Sequence, residues 1–174
     1  MRLPNSHLRV RYSTQYYHFV ASTNAPTTVM LLELIATLCT SLFAGAAIYV
    51  NLVEHPARLE TGTSAAVKQW RPSYRRATVM QASLAIIGLL AALGAWAQGR
   101  GTPVLVGGLL LGSVVPFTLI VIFPTNRGLA DPNLDEGSST AAALLAKWNR
   151  LHAARSGAAL LALLFFLLHL GGIL

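Results

Sequence analysis

Charge is what this sequence has least of. Of its 174 residues only 11% are Asp, Glu, Lys or Arg, against about 25% in an ordinary soluble domain. Apolar residues make up 54%, and mean hydropathy is +0.56. Acids are scarcer than bases, 6 against 13, and none precedes Glu33. The resulting net charge of +7 would suggest nucleic acid in a soluble chain. Here most basic residues lie just outside apolar runs, the pattern of membrane-flanking loops and anionic-lipid contact, so no nucleic-acid partner is expected. Cys39 is the single cysteine. That excludes an intrachain disulfide and a thiolate metal cluster within one chain, and its place inside an apolar run suits a small core residue. The sequence also lacks H-E-x-x-H, C-x-x-C and a Gly-rich phosphate loop, and the short alternating segments of a membrane barrel.

What it has is four long apolar runs, at about 29–53, 77–97, 103–123 and 156–174, the last preceded by an amphipathic extension from about residue 140. Each is near the ~20 residues that cross ~30 Å of hydrocarbon as a helix. The expected fold is therefore an all-α integral membrane four-helix bundle over residues 28–174. Residues 1–27 form a polar tail with Arg2, Arg9, Arg11, Tyr16, Tyr17 and His18. Its composition suits a disordered extension or a misassigned start, and has a slight transit-peptide character. Gly108 with Gly112, and Ser41 with Gly45, make small-residue pairs suited to close helix packing or to oligomerisation. Pro56 and Pro124 stand just past apolar runs and mark kinks or ends.

The longer connections, Glu54–Arg76 and the segment after the third run, carry nine Lys and Arg with the start of helix four. The short Gln98–Thr102 connection and the tail carry four. The positive-inside rule then puts the two longer loops in the cytoplasm and both termini across the membrane.

Four consecutive spans bring alternate helix ends to one face, and the unusual side chains gather there. Trp148, His152 and Arg155 stand at i, i+4 and i+7, so they line one helix face. Asn51, Glu54, His55 and Arg58 do the same, and Tyr74, Thr78 and Gln81 form a third stripe. Polar groups at membrane depth are costly unless they face the bundle interior and pair. These stripes, with Thr125 and Asn126, are expected to surround one polar cavity. Taken singly, Lys68, Trp70, Arg71 and Arg150 read as interface anchors. His55 beside Pro56 can cap a helix C-terminus, and Glu33 and His169 read as interface or packing residues. An imidazole is a natural general base, Arg can hold an enolate or phenolate, and Trp or Tyr can stack on a planar ring. Two histidines and scattered carboxylates are thin for a metal site. Haem ligation by His55 and His152 is conceivable, although both stand at helix ends.

Residues 43–59 (FAGAAIYVNLVEHPARL), 70–81 (WRPSYRRATVMQ), 116–129 (PFTLIVIFPTNRGL) and 148–155 (WNRLHAAR) resemble the anthrone oxygenase-like membrane proteins, from about Leu32 to Leu174. Most bacterial members of that family are classed only as a domain of unknown function. Fungal members oxidise anthrones to anthraquinones, with O2 and without metal or flavin. The resemblance implies such chemistry here. By motif it points to Glu54, His55 and Pro56, to Tyr74 and Arg76, to Thr125 and Asn126, and to Trp148, His152 and Arg155.

The leading expectation is a cofactor-independent oxygenase for an acidic phenolic or polycyclic molecule. His152, or else His55, removes a proton, and Arg155 and Arg76 hold the anion. Trp148 and Tyr74 stack on the rings, while Thr125 and Asn126 orient an oxygen; Asn51, Glu54 and Gln81 complete the lining. The alternatives are a small-molecule carrier or assembly factor, and, as the minor reading, a haem or quinone redox protein.

Overall fold

The computed structural model describes residues 27–174. The readings of the N-terminal tail lie outside the described residues, except at Thr27, which already begins a helix. Beyond it the chain forms four helices: α1 (Thr27–Glu60), α2 (Thr63–Ala97), α3 (Thr102–Ala130) and α4 (Ser139–Leu170). All four are long and apolar enough to cross a membrane, and the chain is a multi-pass membrane protein of the all-α four-helix class.

Every helix overruns its apolar run at one end or both, although α4 stops at Leu170, short of the expected end at 174, where a turn at Gly171 and Gly172 closes it. α1 has 34 residues and α2 has 35, about 50 Å each at ~1.5 Å per residue, so their ends project past the hydrocarbon. The segment Glu54–Arg76, expected as a loop, is helical on both sides of a turn at Thr61 and Gly62. Hydropathy reports which residues sit in lipid, whereas the backbone stays helical wherever its own hydrogen bonds are met. Gly62 (φ 89°) makes this turn, and Gly99 (φ 96°) the one between α2 and α3. Both angles are ones that residues with a Cβ rarely adopt. Ser138 caps α4, its hydroxyl accepting from the Ala141 N–H at 3.2 Å.

Pro56 and Pro124 do not end their helices. Each stands just after a wide π-turn, Val50–Glu54 in α1 and Thr118–Ile122 in α3. There the N–H of His55 reaches the carbonyl of Val50, and that of Phe123 reaches Thr118. A proline one residue later has no N–H to offer the carbonyl four residues back, so the chain widens by one residue and continues.

The helices form a square: α1 packs on α2 and α4, α3 packs on α2 and α4, and the diagonals barely touch. The core is alanine-rich, with Phe43, Leu111 and Phe166 as its large members. Small residues set the spacing. A Cβ on Gly108 would lie 2.5 Å from the Ala92 Cβ, and one on Gly112 would lie 2.7 Å from Leu89. The Gly108–Gly112 pair thus closes the α2–α3 seam, while nothing lies within 4 Å of a Cβ on Gly45. Cys39 is buried. Leu38, Leu52, Val79, Leu90 and Ile120 point outward, an apolar exterior that suits lipid tails.

At the end nearest the α2–α3 turn, Glu33 is only 3% exposed. Its carboxylate accepts from Arg100 Nη2 at 2.7 Å and lies 2.9 Å from His169 Nε2. Glu33 and His169 therefore do more than fill space: with Arg100 they tie α1, the turn and α4 together.

Candidate functional site

The opposite end of the square holds the polar side chains. α4 contributes Trp148, His152, Arg155 and Ser156, spaced to point inward one helical turn above another. His152 is buried. Its Nε2 lies 2.8 Å from Nη2 of Arg155 and its Nδ1 lies 2.7 Å from Oδ1 of Asn51. A guanidinium can only donate, so Nε2 accepts and the ring proton is on Nδ1, which donates to Asn51. The Asn51 amide is fixed in turn: its Nδ2 donates to Asn149 Oδ1 at 2.8 Å, and its Oδ1 also accepts from Ser156 Oγ at 2.7 Å. Asn51 lies within the α1 π-turn, a feature frequent at functional sites.

Arg155 also donates to Gln81 Oε1 at 2.6 Å, and its Nη1 stands 3.5 Å from Thr118 Oγ1. Its guanidinium carbon is 5.5 Å from the centre of the Phe43 ring, within cation–π range.

An aromatic wall faces this polar group. Trp70 stacks on Tyr74 with centroids 4.8 Å apart and planes 5° apart. Trp148 meets Trp70 edge-on at 5.9 Å, and its ring centre is 4.7 Å from that of His152 and 5.3 Å from that of His55. Arg58 lies 5.9 Å from the Trp148 ring centre and pairs with Glu54. Glu54 also accepts from Gln69 (3.1 Å) and Ser73 (2.8 Å). Asn126 Nδ2 donates to the Tyr74 hydroxyl at 3.0 Å.

Trp148, His152, Arg155, Tyr74, Asn126 and Gln81 line a common cavity of about 30 Å³. That is room for roughly two waters. The other expected residues stand around it. Asn51 holds His152 from behind, Glu54 holds Arg58, and His55 and Thr125 are buried without lining the cavity. Arg76 is exposed on the outer surface and does not join the group.

Trp70, read as an interface anchor, is 0% exposed and central to the wall. Arg58, expected in the α1 stripe, is buried over Trp148 and lines the cavity. The signal for Trp70 was its spacing: it stands four residues before Tyr74, on the same face. Thr118 and Asn149 carried no distinguishing signal.

Several buried polar atoms here lack a protein partner: both ring nitrogens of His55, Trp70 Nε1, Thr125 Oγ1 and Asn126 Oδ1. Such atoms are uncommon in folded interiors and mark places where water or a polar ligand is held. Among the described residues, no group of three or more His, Cys, Asp or Glu is gathered to hold a metal ion. Chemically, the site offers an aromatic slab, two arginines with one nearby carboxylate, and an imidazole whose Nε2 accepts from Arg155.

A family model described as anthrone oxygenase matches residues 70–165, from Trp70 into α4. The anthrone oxygenase tpcL of Aspergillus fumigatus is 30% identical over 142 residues, covering 74% of this chain and 86% of that protein. No solved structure matches.

Proposed function

The chain belongs to the anthrone oxygenase family, and on that premise we propose that its cavity oxidises an anthrone-like, acidic polycyclic molecule with O2. The observation that carries the reading is the Asn51–His152–Arg155 chain. It presents an imidazole lone pair beside a guanidinium, at the edge of an aromatic wall.

In this reading the substrate lies along Trp70, Tyr74 and Trp148. Arg155 moves from His152 Nε2 to the substrate's oxygen, which frees the lone pair to take a proton from the CH2 on the opposite side of the same ring, conjugated with that oxygen. Arg155 then holds the enolate charge, as preorganised cations do for developing anions. The electron-rich enolate passes one electron to O2, and the radical pair joins at that carbon as a peroxide, which takes the proton back from His152 to become the hydroperoxide. Loss of water leaves a ketone, so CH2 and O2 become C=O and H2O. His55, next to Trp148, and the hydrogen-bonding pair Tyr74–Asn126 serve orientation. Arg76, outside the cavity, has no role in this scheme.

The same reading carries a sidedness. The end that holds the site and nine of the basic residues faces the cytoplasm, and the chain termini lie across the membrane.

Protein reconstituted in liposomes should consume O2 when given a hydroxylated anthrone and release the anthraquinone. His152→Ala should lower the rate by about 10²-fold or more, the usual contribution of a positioned base. Full turnover by that variant would remove His152 as the base.

A further inference from the structure

A second hollow opens on the outer side of the bundle, between α2 and α3. Its walls are Ala82 and Ala85 of α2 with Val115 and Leu119 of α3, and Phe43 of α1 forms its floor. It measures about 80 Å³ on the same basis as the polar cavity. The two spaces adjoin: Thr78, Gln81, Thr118 and Arg155 line both. Farther along the same seam, toward the α2–α3 turn, Gly108 and Gly112 bring the helices into contact. The crevice lies where that contact ends, beside the α3 π-turn. Arg155 is the junction, reaching the polar cavity with its guanidinium and bordering the apolar crevice.

The aqueous end of the cavity is closed by comparison. Trp70, Ile122, Leu129, Leu145 and Trp148 form a continuous buried cluster there. Arg71 fastens it, donating to the carbonyls of Leu129 (3.0 Å) and Asp131 (2.9 Å) and pairing with Glu136 at 2.6 Å. Opening that end would break an apolar core and three charge-assisted bonds. On the seam side Leu119 is already 62% exposed, and the polar contacts at the junction are those of Arg155 with Gln81 and Thr118, which the arriving acidic oxygen replaces.

We infer that the α2–α3 crevice is a lateral doorway and apolar subsite for a polycyclic aromatic substrate dissolved in the bilayer. The substrate enters between the helices, leaves its distal ring among Ala82, Ala85, Val115 and Leu119, and brings its acidic oxygen to Arg155. This deepens the oxygenase reading and rests on it for the identity of the substrate. Crevice and cavity are together small beside the ~300 Å³ or more of ordinary ligand sites, so entry widens the seam. Leu119 is the side chain that sets its width.

The test uses the full chain in liposomes, with anthraquinone as a probe that binds without turning over. Trp70 and Trp148 report its arrival by fluorescence quenching, in a Trp96→Phe background that removes the remaining tryptophan. Leu119→Phe should slow quenching about tenfold, equivalent to a barrier raised by about 1.4 kcal/mol. Ala82→Phe should do the same, while Leu119→Ala should match or exceed the parent rate. Leu164→Phe, on the lipid-facing side of α4, should leave the rate unchanged. Parent-like quenching in both Leu119→Phe and Ala82→Phe would overturn the doorway. So would a membrane-impermeant sulfonated anthraquinone that quenches as fast from water, whatever stands at position 119. Slowed quenching without any O2 consumption would keep the doorway and sink the oxygenase reading. Normal O2 consumption with unaltered quenching in both blocked variants would do the reverse.

Discussion

Asn51 is the residue through which α1 governs the chemistry of α4. Its Oδ1 accepts from His152 and Ser156, and its Nδ2 donates to Asn149, so one amide sets both the tautomer and the tilt of the imidazole. Asn51→Leu should lower kcat by about 10²-fold with little change in KM, because the base is mis-set while the aromatic wall is untouched. Asn51→Asp keeps an acceptor for Nδ1 and should retain more activity. Equal losses in the two variants, or a loss confined to KM, would mean that Asn51 serves only packing. At this scale the sequence was partly readable. Trp148, His152 and Arg155 announce themselves because helical spacing on an apolar helix leaves them no other face. Arg76 misled by proximity: it lies two residues, about 200° around the helix, from Tyr74, so the inward stripe of Tyr74, Thr78 and Gln81 already excluded it. Trp70 misled in the other direction. A Trp near a helix end looks the same in one dimension whether it turns toward lipid headgroups or into the core.

Helices α1 and α3 share a device that hydropathy cannot reveal. Each contains a π-turn with a proline just beyond it, Val50–Glu54 with Pro56 and Thr118–Ile122 with Pro124. A π-turn amounts to one extra residue in an α-helix, and it rotates the helical turns on its N-terminal side relative to those on its C-terminal side. In α1 this directs Asn51 toward His152 while His55 and Arg58 flank Trp148. Deleting Leu52, which is 71% exposed, should let α1 close into regular α-helix. The bundle should keep its thermal unfolding temperature within a few degrees, whereas O2 consumption should fall at least as far as in Asn51→Leu. Unchanged activity would show that the turn is not what positions Asn51. The four spans themselves were legible because burial in hydrocarbon demands long uncharged runs. Their true ends were not, because charged helical residues beyond the lipid carry no hydropathic mark, and proline there reads as a stop.

For the molecule as a whole, the distribution of charge predicts its orientation. Arg58, Lys68, Arg71, Arg75, Arg76, Arg127, Lys147, Arg150 and Arg155 all belong to the end that holds the site. The single native cysteine is buried, so a cysteine placed at exposed Asn133 gives a clean label. In intact cells Asn133→Cys should resist an impermeant maleimide and react only after the membrane is opened. Rapid labelling of intact cells would invert the orientation. The two ends also differ mechanically. Glu33 with Arg100 and His169 pins α1, the α2–α3 turn and α4 at one end, and makes that end a fulcrum. Ala82 lies 15 residues from the end of α2 at Ala97, a lever arm of about 22 Å. A tilt of about 5° about the pinned end moves that point by about 2 Å, more than half of a ~3.5 Å carbon–carbon contact distance. For the proposed doorway, the ion cluster farthest from the chemistry would then serve as a hinge pin, and a small rotation of whole helices, with no unfolding of any, would be enough to admit a flat molecule.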